Sequence, residues 1–258
     1  MEFLRKNYID TTTAIEVNSN TDTVSNIMNR DLTFQYASSG LNDDTTIATL
    51  KVSFDETQTV SRIALMGINV KGMNIFYDEV TANTFDLTTT GDTTVSQWVS
   101  NSETSMFLKF AAVDCTSVSF DFKTTMEADA NKAIGYLLVS KEHMTFDRVP
   151  NAFNYQPTIE PTNVVHTLSD GGTRVQTLAE KRSVKVGLNY ITTSFKNKLK
   201  NVYDLHDEIV FCAFGTTTGW DEVLFQCSWI NGFEFERFSD NAAAAGFEGS
   251  ILLKETTL

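Results

Sequence analysis

Alternation of apolar and polar positions dominates the first half of the chain. In residues 45–54, Ile47, Leu50, Val52 and Phe54 fall mostly on one face and Thr49, Lys51 and Ser53 on the other, the period of two that a half-buried antiparallel strand requires. The same pattern predicts strands over 60–66, 73–77, 105–110 with Met106, Leu108 and Phe110 inward, 117–122 with Val118, Phe120 and Phe122 inward, and 133–139. Threonine, with its branched Cβ, is frequent in these stretches and suits extended backbone. Gly67, Gly72, the Gly91-Asp92 pair and Asn131 separate them as turn residues. Many short strands at even spacing, with no long helical pattern, predict a β-sandwich or jelly roll.

The second half has a different rhythm. Strands are predicted over 163–168, 174–177, 183–191, 208–214, 222–229 and 249–255. Between the third and fourth, Phe195, Leu199, Val202 and Tyr203 recur at three/four spacing while Lys196, Lys198 and Lys200 face away. That is one amphipathic helix over 194–204 with Ser194 as its N-cap. Ser169-Asp170-Gly171-Gly172 reads as a tight hairpin turn, and the alanine run 242–245 is too short for a helix and reads as a loop. All three prolines, Pro150, Pro157 and Pro161, fall within 149–162, and proline removes backbone donors, so this stretch is the expected linker. The expected organisation is mainly β: a β-sandwich jelly roll over 1–150, a linker over 151–161, and an α+β domain over 162–258 with one flanking helix.

Composition narrows the function. The chain has 258 residues, 41% hydrophobic and 21% charged, as an ordinary globular protein does. Its net charge of −13 argues against a phosphate-binding face. The acidity is spread over both halves, so nucleic acid is not expected as a partner. Three scattered cysteines, Cys115, Cys212 and Cys227, form no CxxC pair and read as buried thiols. No apolar run approaches the length of a membrane span, and the first ten residues lack a secretory pattern, so synthesis and folding in a cytoplasm are expected.

Catalytic chemistry finds little to stand on. His143, His166 and His206 lie far apart without metal-ligand spacing, and no GxSxG, HExxH or phosphate-loop pattern occurs. The adjacent acids Asp43-Asp44, Asp55-Glu56 and Asp221-Glu222 would point to opposite faces of a strand and read as solvated turns. The expectation is a protein that is not an enzyme.

Residues 19–40 (SNTDTVSNIMNRDLTFQYASSG), the strand 46–54 and the stretch Val60-Ser61-Arg62-Ile63-Ala64-Leu65 carry a resemblance. With Met73–Asp78 and Lys132–Leu137, their order resembles a discoidin-like (F5/8 type C) domain of the galactose-binding-like superfamily over about residues 7–140. That resemblance implies a jelly roll and glycan, lipid or purely structural roles. It places a calcium-holding turn at Asn29 and Asp31, with Tyr36 where a tryptophan is common. Asn29 stands for an acid and Arg30 for a glycine, and fewer charged oxygens make a poorer hard-cation site, so a solvated structural turn is the expected state and calcium the alternative. Trp98 would be the sugar platform, or a core residue between Val95 and Val99.

Residues 162–258 resemble the C-terminal domains of tailed-phage tail and baseplate components, through Leu199 and Tyr203 on the helix, Glu208–Phe211, Gly219-Trp220-Asp221, Leu224-Phe225, Trp229 and Gly246–Glu255. Taken together, the two resemblances imply a virion structural protein of a tailed phage. It would assemble with itself into a ring, contact other tail proteins, and reside in the virion after synthesis in the host cytoplasm. Phe153, Tyr155 and Trp220 are the expected contact residues. The alternative is a carbohydrate-binding protein that recognises host glycans and oligomerises through its second domain.

Overall fold

A computed structural model describes residues 1–4, 7–80, 99–141, 144–146, 155–204, 209–213, 224–237 and 246–256. The described fold is mainly β, built from antiparallel sheets with one α-helix and one 3-10 helix. The chain divides into two compact units, Glu2–His143 with Phe211–Phe225, and Met144–Val210 with Gln226–Leu258 and Met1. Phe211–Ala213 and Leu224–Phe225, expected in the second domain, therefore group with the first unit. There the Phe211 ring packs on Phe3 and Phe225 at centroid distances of 5.2 and 5.6 Å.

The first unit contains β1 (Glu2–Leu4), β2 (Ala14–Val17), a 3-10 helix (Thr21–Met28), β3 (Tyr36–Ala37), β4 (Ala48–Met66), β5 (Gly72–Tyr77), β6 (Val99–Ser100), β7 (Ser105–Phe122), β8 (Ala133–Ile134) and β9 (Tyr136–Ser140). Its main sheet runs β2-β4-β7-β5-β6, with β9 also on β4, while β3 and β8 pair separately. Four of the predicted strands have fused into two. β4 and β7 pair from Ala48↔Phe122 to Met66↔Ser105, with register shifts at Ser53/Gln58 and Val60/Arg62. Bulges of this kind let a strand bend without ending.

Burial follows the pairing. Ala48, Leu50 and Val52 face the core, whereas Ile47, expected beside them, lies just before the strand and is exposed. From Val60 to Met66, where β4 pairs with β7 on one edge and β9 on the other, every residue is buried, so both faces of the strand are covered here. A strand covered on both faces loses its alternation. Cys115, Cys212 and Cys227 are buried and form no disulfide, and burial together with nearby Asp78 and Asp114 pushes the Cys115 thiol up to about 12.

A charged pair lies in this interior. The Arg62 Nε donates to Glu2 Oε1 at 2.5 Å, with both side chains almost wholly enclosed, and Lys109 Nζ stands 3.9 Å from the other Glu2 oxygen. The Arg62 Nη1 donates to the Ser61 carbonyl at 2.8 Å. A buried pair adds little over a hydrophobic replacement, but losing one partner strands the other.

The second unit contains β10 (Met144–Thr145), β11 (Tyr155–Thr167), β12 (Thr173–Ile191), α1 (Thr193–Tyr203), β13 (Ile209–Cys212, which also reaches into the first unit), β14 (Leu224–Trp229, likewise shared), β15 (Phe235–Arg237) and β16 (Phe247–Glu255). β16 pairs with β12 on one edge and with β14 and β15 on the other. Residues 155–161, expected as linker, form the first half of β11, paired from Tyr155↔Val186 to Pro161↔Glu180. Proline is tolerated because β11 ends the sheet, where the missing N–H faces outward. The helix starts one residue earlier than predicted, and Thr192 is its cap, its hydroxyl accepting the Phe195 N–H at 3.1 Å. Phe195, Leu199 and Val202 are buried as their spacing requires, and half-buried Tyr203 meets Trp229 edge-on at 5.3 Å.

β11 and β12 outrun the sheet that supports them. β12 pairs with β16 only from Ser183 onward, so residues 161–180 form a two-stranded ribbon. The predicted turn closes it: the Leu168 N–H donates to the Gly172 carbonyl at 2.7 Å, and Gly171 adopts φ 80°. Two ion pairs clamp its root, Arg182 to Glu255 and Lys254 to Glu160, each at 2.6 Å.

Replacing Arg62 by Met will cost about 3–5 kcal/mol in chemical denaturation, since Glu2 is left charged and enclosed. The double variant Arg62→Met/Glu2→Gln will recover much of it. Equal stability of the single variant and the parent would show that the pair is solvated.

Candidate functional site

Among the described residues, the loop between the 3-10 helix and β3 presents the most exposed aromatic ring of the first unit. Phe34 is 54% exposed, and the backbone around it is fixed by side chains. Asn29 Oδ1 accepts the Asp31 N–H at 3.0 Å, Asp31 Oδ1 accepts the Thr33 N–H at 2.9 Å and the Thr33 hydroxyl at 2.7 Å, and the Phe34 N–H donates to the Asp31 carbonyl at 3.1 Å. These nested turns, each an Asx residue bonding two positions on, hold the ring outward. Beyond it, Asn26 Nδ2 donates to the Gln35 carbonyl at 3.1 Å and Gln35 Nε2 to the Gly67 carbonyl at 3.2 Å. The Thr33 bonds hold the Asp31 carboxyl below its ordinary range.

Close backbone contact seats this loop on the sheet. A Cβ on Gly135 would stand 3.0 Å from Leu32 Cδ2 and 3.1 Å from the Met66 carbonyl, so only glycine lets the loop approach. Gly67, facing it, has φ 65°. Tyr36 is buried, and its hydroxyl donates to the Ser19 carbonyl at 3.1 Å. It is a core strut and not a ligand platform.

Asn29 and Asp31, the alternative calcium residues of the turn, are engaged within the chain. Asn29 Oδ1 and one Asp31 oxygen already accept bonds from the chain, Arg30 lies between them, and no group of three His, Cys, Asp or Glu among the described residues could hold a metal ion. A different loop is held by a cation of the chain itself. Lys132 is fully enclosed, its Nζ donating to the carbonyls of Leu41 and Asp43. Burial lowers its pKa, opposed by Asp44, Asp43 and Asp129. Asp44 in turn accepts from Thr125 Oγ1 at 3.1 Å, and Asp129 from the Asp44 N–H at 3.4 Å. An ammonium bonded by carbonyls thus ties residues 41–45 to 125–132.

Of the other expected site residues, Trp98, Phe153 and Trp220 lie outside the described residues. Tyr155 is half-buried at the start of β11, opposite Val186. Sequence reading missed Phe34 because its exposure depends on what packs beside it; the Asn29-x-Asp31-x-Thr33 spacing was the available signal for a rigid turn. In the second unit an open cavity of about 430 Å³ is lined by Asn189, Asn231, Glu234, Glu236, Glu248 and Ser250.

No family model matches the chain, and no curated protein matches it either. Solved structures do. The protein CpGH89CBM32-6 produced by Clostridium perfringens is 13% identical, with a TM-score of 0.37 over 53% of this chain and 99% of its own. A pectin-binding carbohydrate-binding module is 17% identical, with a TM-score of 0.36 over 49% of this chain and 88% of its own. A GH29 fucosidase from Ruminococcus gnavus, in complex with fucose, is 9% identical, with a TM-score of 0.41 over 53% of this chain and 27% of its own.

Two outcomes test this geometry. Lys132→Met will lower stability by about 2–3 kcal/mol, the cost of orphaned carbonyls, measured by denaturant titration. The melting temperature of the parent protein will be the same in calcium as in chelator; a calcium-dependent rise removed by Asp31→Ala would make the turn an ion site after all.

Proposed function

We propose that the chain is a non-catalytic glycan-recognition protein whose first, discoidin-like unit meets sugar at Phe34. The observation that carries this reading is a rigidly mounted, exposed phenyl ring in a loop rich in hydrogen-bonding groups. The C–H face of a pyranose is apolar and packs on an aromatic ring, while Asn, Thr, Gln and carboxylate groups around the ring satisfy its hydroxyls. Preorganisation matters because an immobile platform pays little ordering entropy on binding. One ring and a shallow surface support weak, millimolar-class affinity, about −4 kcal/mol, so useful attachment needs several copies acting together. No ion enters this reading.

A second reading is a tail or baseplate subunit of a tailed phage, which assembles with itself and with other tail proteins. The clamped ribbon over 161–180 favours it, because a projecting arm with exposed apolar side chains suits a structural subunit more than a free binding module. Both readings hold together if the assembled particle displays the sugar-facing loops.

Glycan-array binding followed by affinity electrophoresis tests the first reading. Phe34→Ala will reduce retention by tenfold or more, equivalent to about 1.4 kcal/mol, without changing the melting temperature. Absence of any glycan ligand, or binding indifferent to Phe34→Ala, would overturn it. Electron microscopy of the purified protein tests the second, with ring-shaped particles expected.

A further inference from the structure

We propose that the ribbon over 161–180 docks edge to edge on the same ribbon of a second copy of this chain, about a twofold axis at Val165. This does not depend on whether Phe34 binds sugar. Among the described residues β11 is the last strand of its sheet, so its outer edge there offers N–H and C=O groups, the template on which another strand adds. Along the root, Pro157 and Pro161 remove donors from that edge, whereas no proline interrupts 162–167. The open part of the edge therefore begins where the register shifts, between Thr162 and Asn163.

The distal ribbon has two unlike faces. After the shift, Asn163↔Thr177, Val165↔Val175 and Thr167↔Thr173 share one face, and Val164↔Gln176 and His166↔Arg174 the other. The first face is uncharged. Val165 and Val175 are 59% and 58% exposed, and Leu178, the extra residue at the shift, is 59% exposed. An isolated two-stranded ribbon is marginal in water, yet this one is anchored by two ion pairs and a bonded turn, which presents it at low entropic cost.

Charge selects the partner. Each chain carries −13, so copies repel wherever their acidic surfaces meet. Within 161–179 the only full charges are Asp170 and Arg174, which cancel. A basic partner would be drawn to the acidic surface elsewhere, and this segment gives it nothing to pair with. A second copy meets no repulsion here. Antiparallel pairing of 163–167 with itself about Val165 places Asn163 opposite Thr167 and Val164 opposite His166, so no like charges face one another. Such an isologous contact closes as a dimer.

Sedimentation velocity of the full chain across a concentration series will show a dimer that Val165→Lys/Val175→Lys converts to monomer with an unchanged circular dichroism spectrum, since both side chains are exposed. The register has its own readout. Under mild oxidant Val165→Cys will form a disulfide-linked dimer, because facing strands bring the two Cβ atoms within bonding range. Val175→Cys will not, since β12 is separated from its copy by three strand spacings, about 14 Å. The native cysteines are buried and do not compete. A monomer at every concentration, an oligomer indifferent to the lysine pair, or cross-linking through 175 and not 165 would each overturn the proposal. Loss of glycan binding would leave all of these readouts unmoved.

Discussion

Pairing along both edges of β4 is the constraint from which the first unit follows. One edge carries β7 along nearly the whole strand, and the other is divided between β2 at Leu50–Ser53 and β9 at Arg62–Met66. A strand paired on both sides cannot slip, because a shift of one residue would turn Leu50 and Val52 outward and Lys51 inward. The bulges in the β4–β7 ladder absorb the bend between its half-buried and fully enclosed parts. The interior of the second part is closed by Glu2, which meets Arg62 where a charged side chain would otherwise stand alone.

The end of β4 also fixes the surface that we assign to recognition. Met66 and Gly67 lie against Gly135, and Leu32 packs into the space that glycine leaves. The loop bearing Phe34 is thereby held by backbone contact at one side and by Asx turns at the other. Polar side chains perform the ordering that a bound ion would perform in a more acidic turn, and the Lys132 ammonium does the same for residues 41–45. A hydrogen-bonded carboxylate and an internal cation are both less sensitive to solution conditions than an exchangeable metal.

The second unit solves a different problem. β16 gives β12 a partner only from Ser183, while the hairpin continues well beyond that point. Clamps at its root and a glycine-bearing turn at its tip keep it extended, and its uncharged face stays in solvent. Acidic surface elsewhere keeps copies apart, whereas residues 161–179 carry no net charge and let copies meet.

Local pattern alone determined the mainly β character, the buried face of the helix at Phe195, Leu199 and Val202, the turn at 169–172 and the three buried thiols. Each depends on side-chain period or turn chemistry within a few residues. Tertiary structure decided the rest. The fusion of predicted strands into β4 and β7 rests on bulges, which are set by the partner strand and leave no local signature. Residues 155–161 read as a linker because proline disfavours a central strand; only their place at the sheet edge made them strand. Asn29 and Asp31 looked like ligands because the oxygens of a turn and of an ion site are the same atoms until their donors are known. Phe34 and Val165 became surface features, and Lys132 an enclosed one, because burial is decided by distant segments that happen to cover a residue or leave it bare, and no window of sequence contains them.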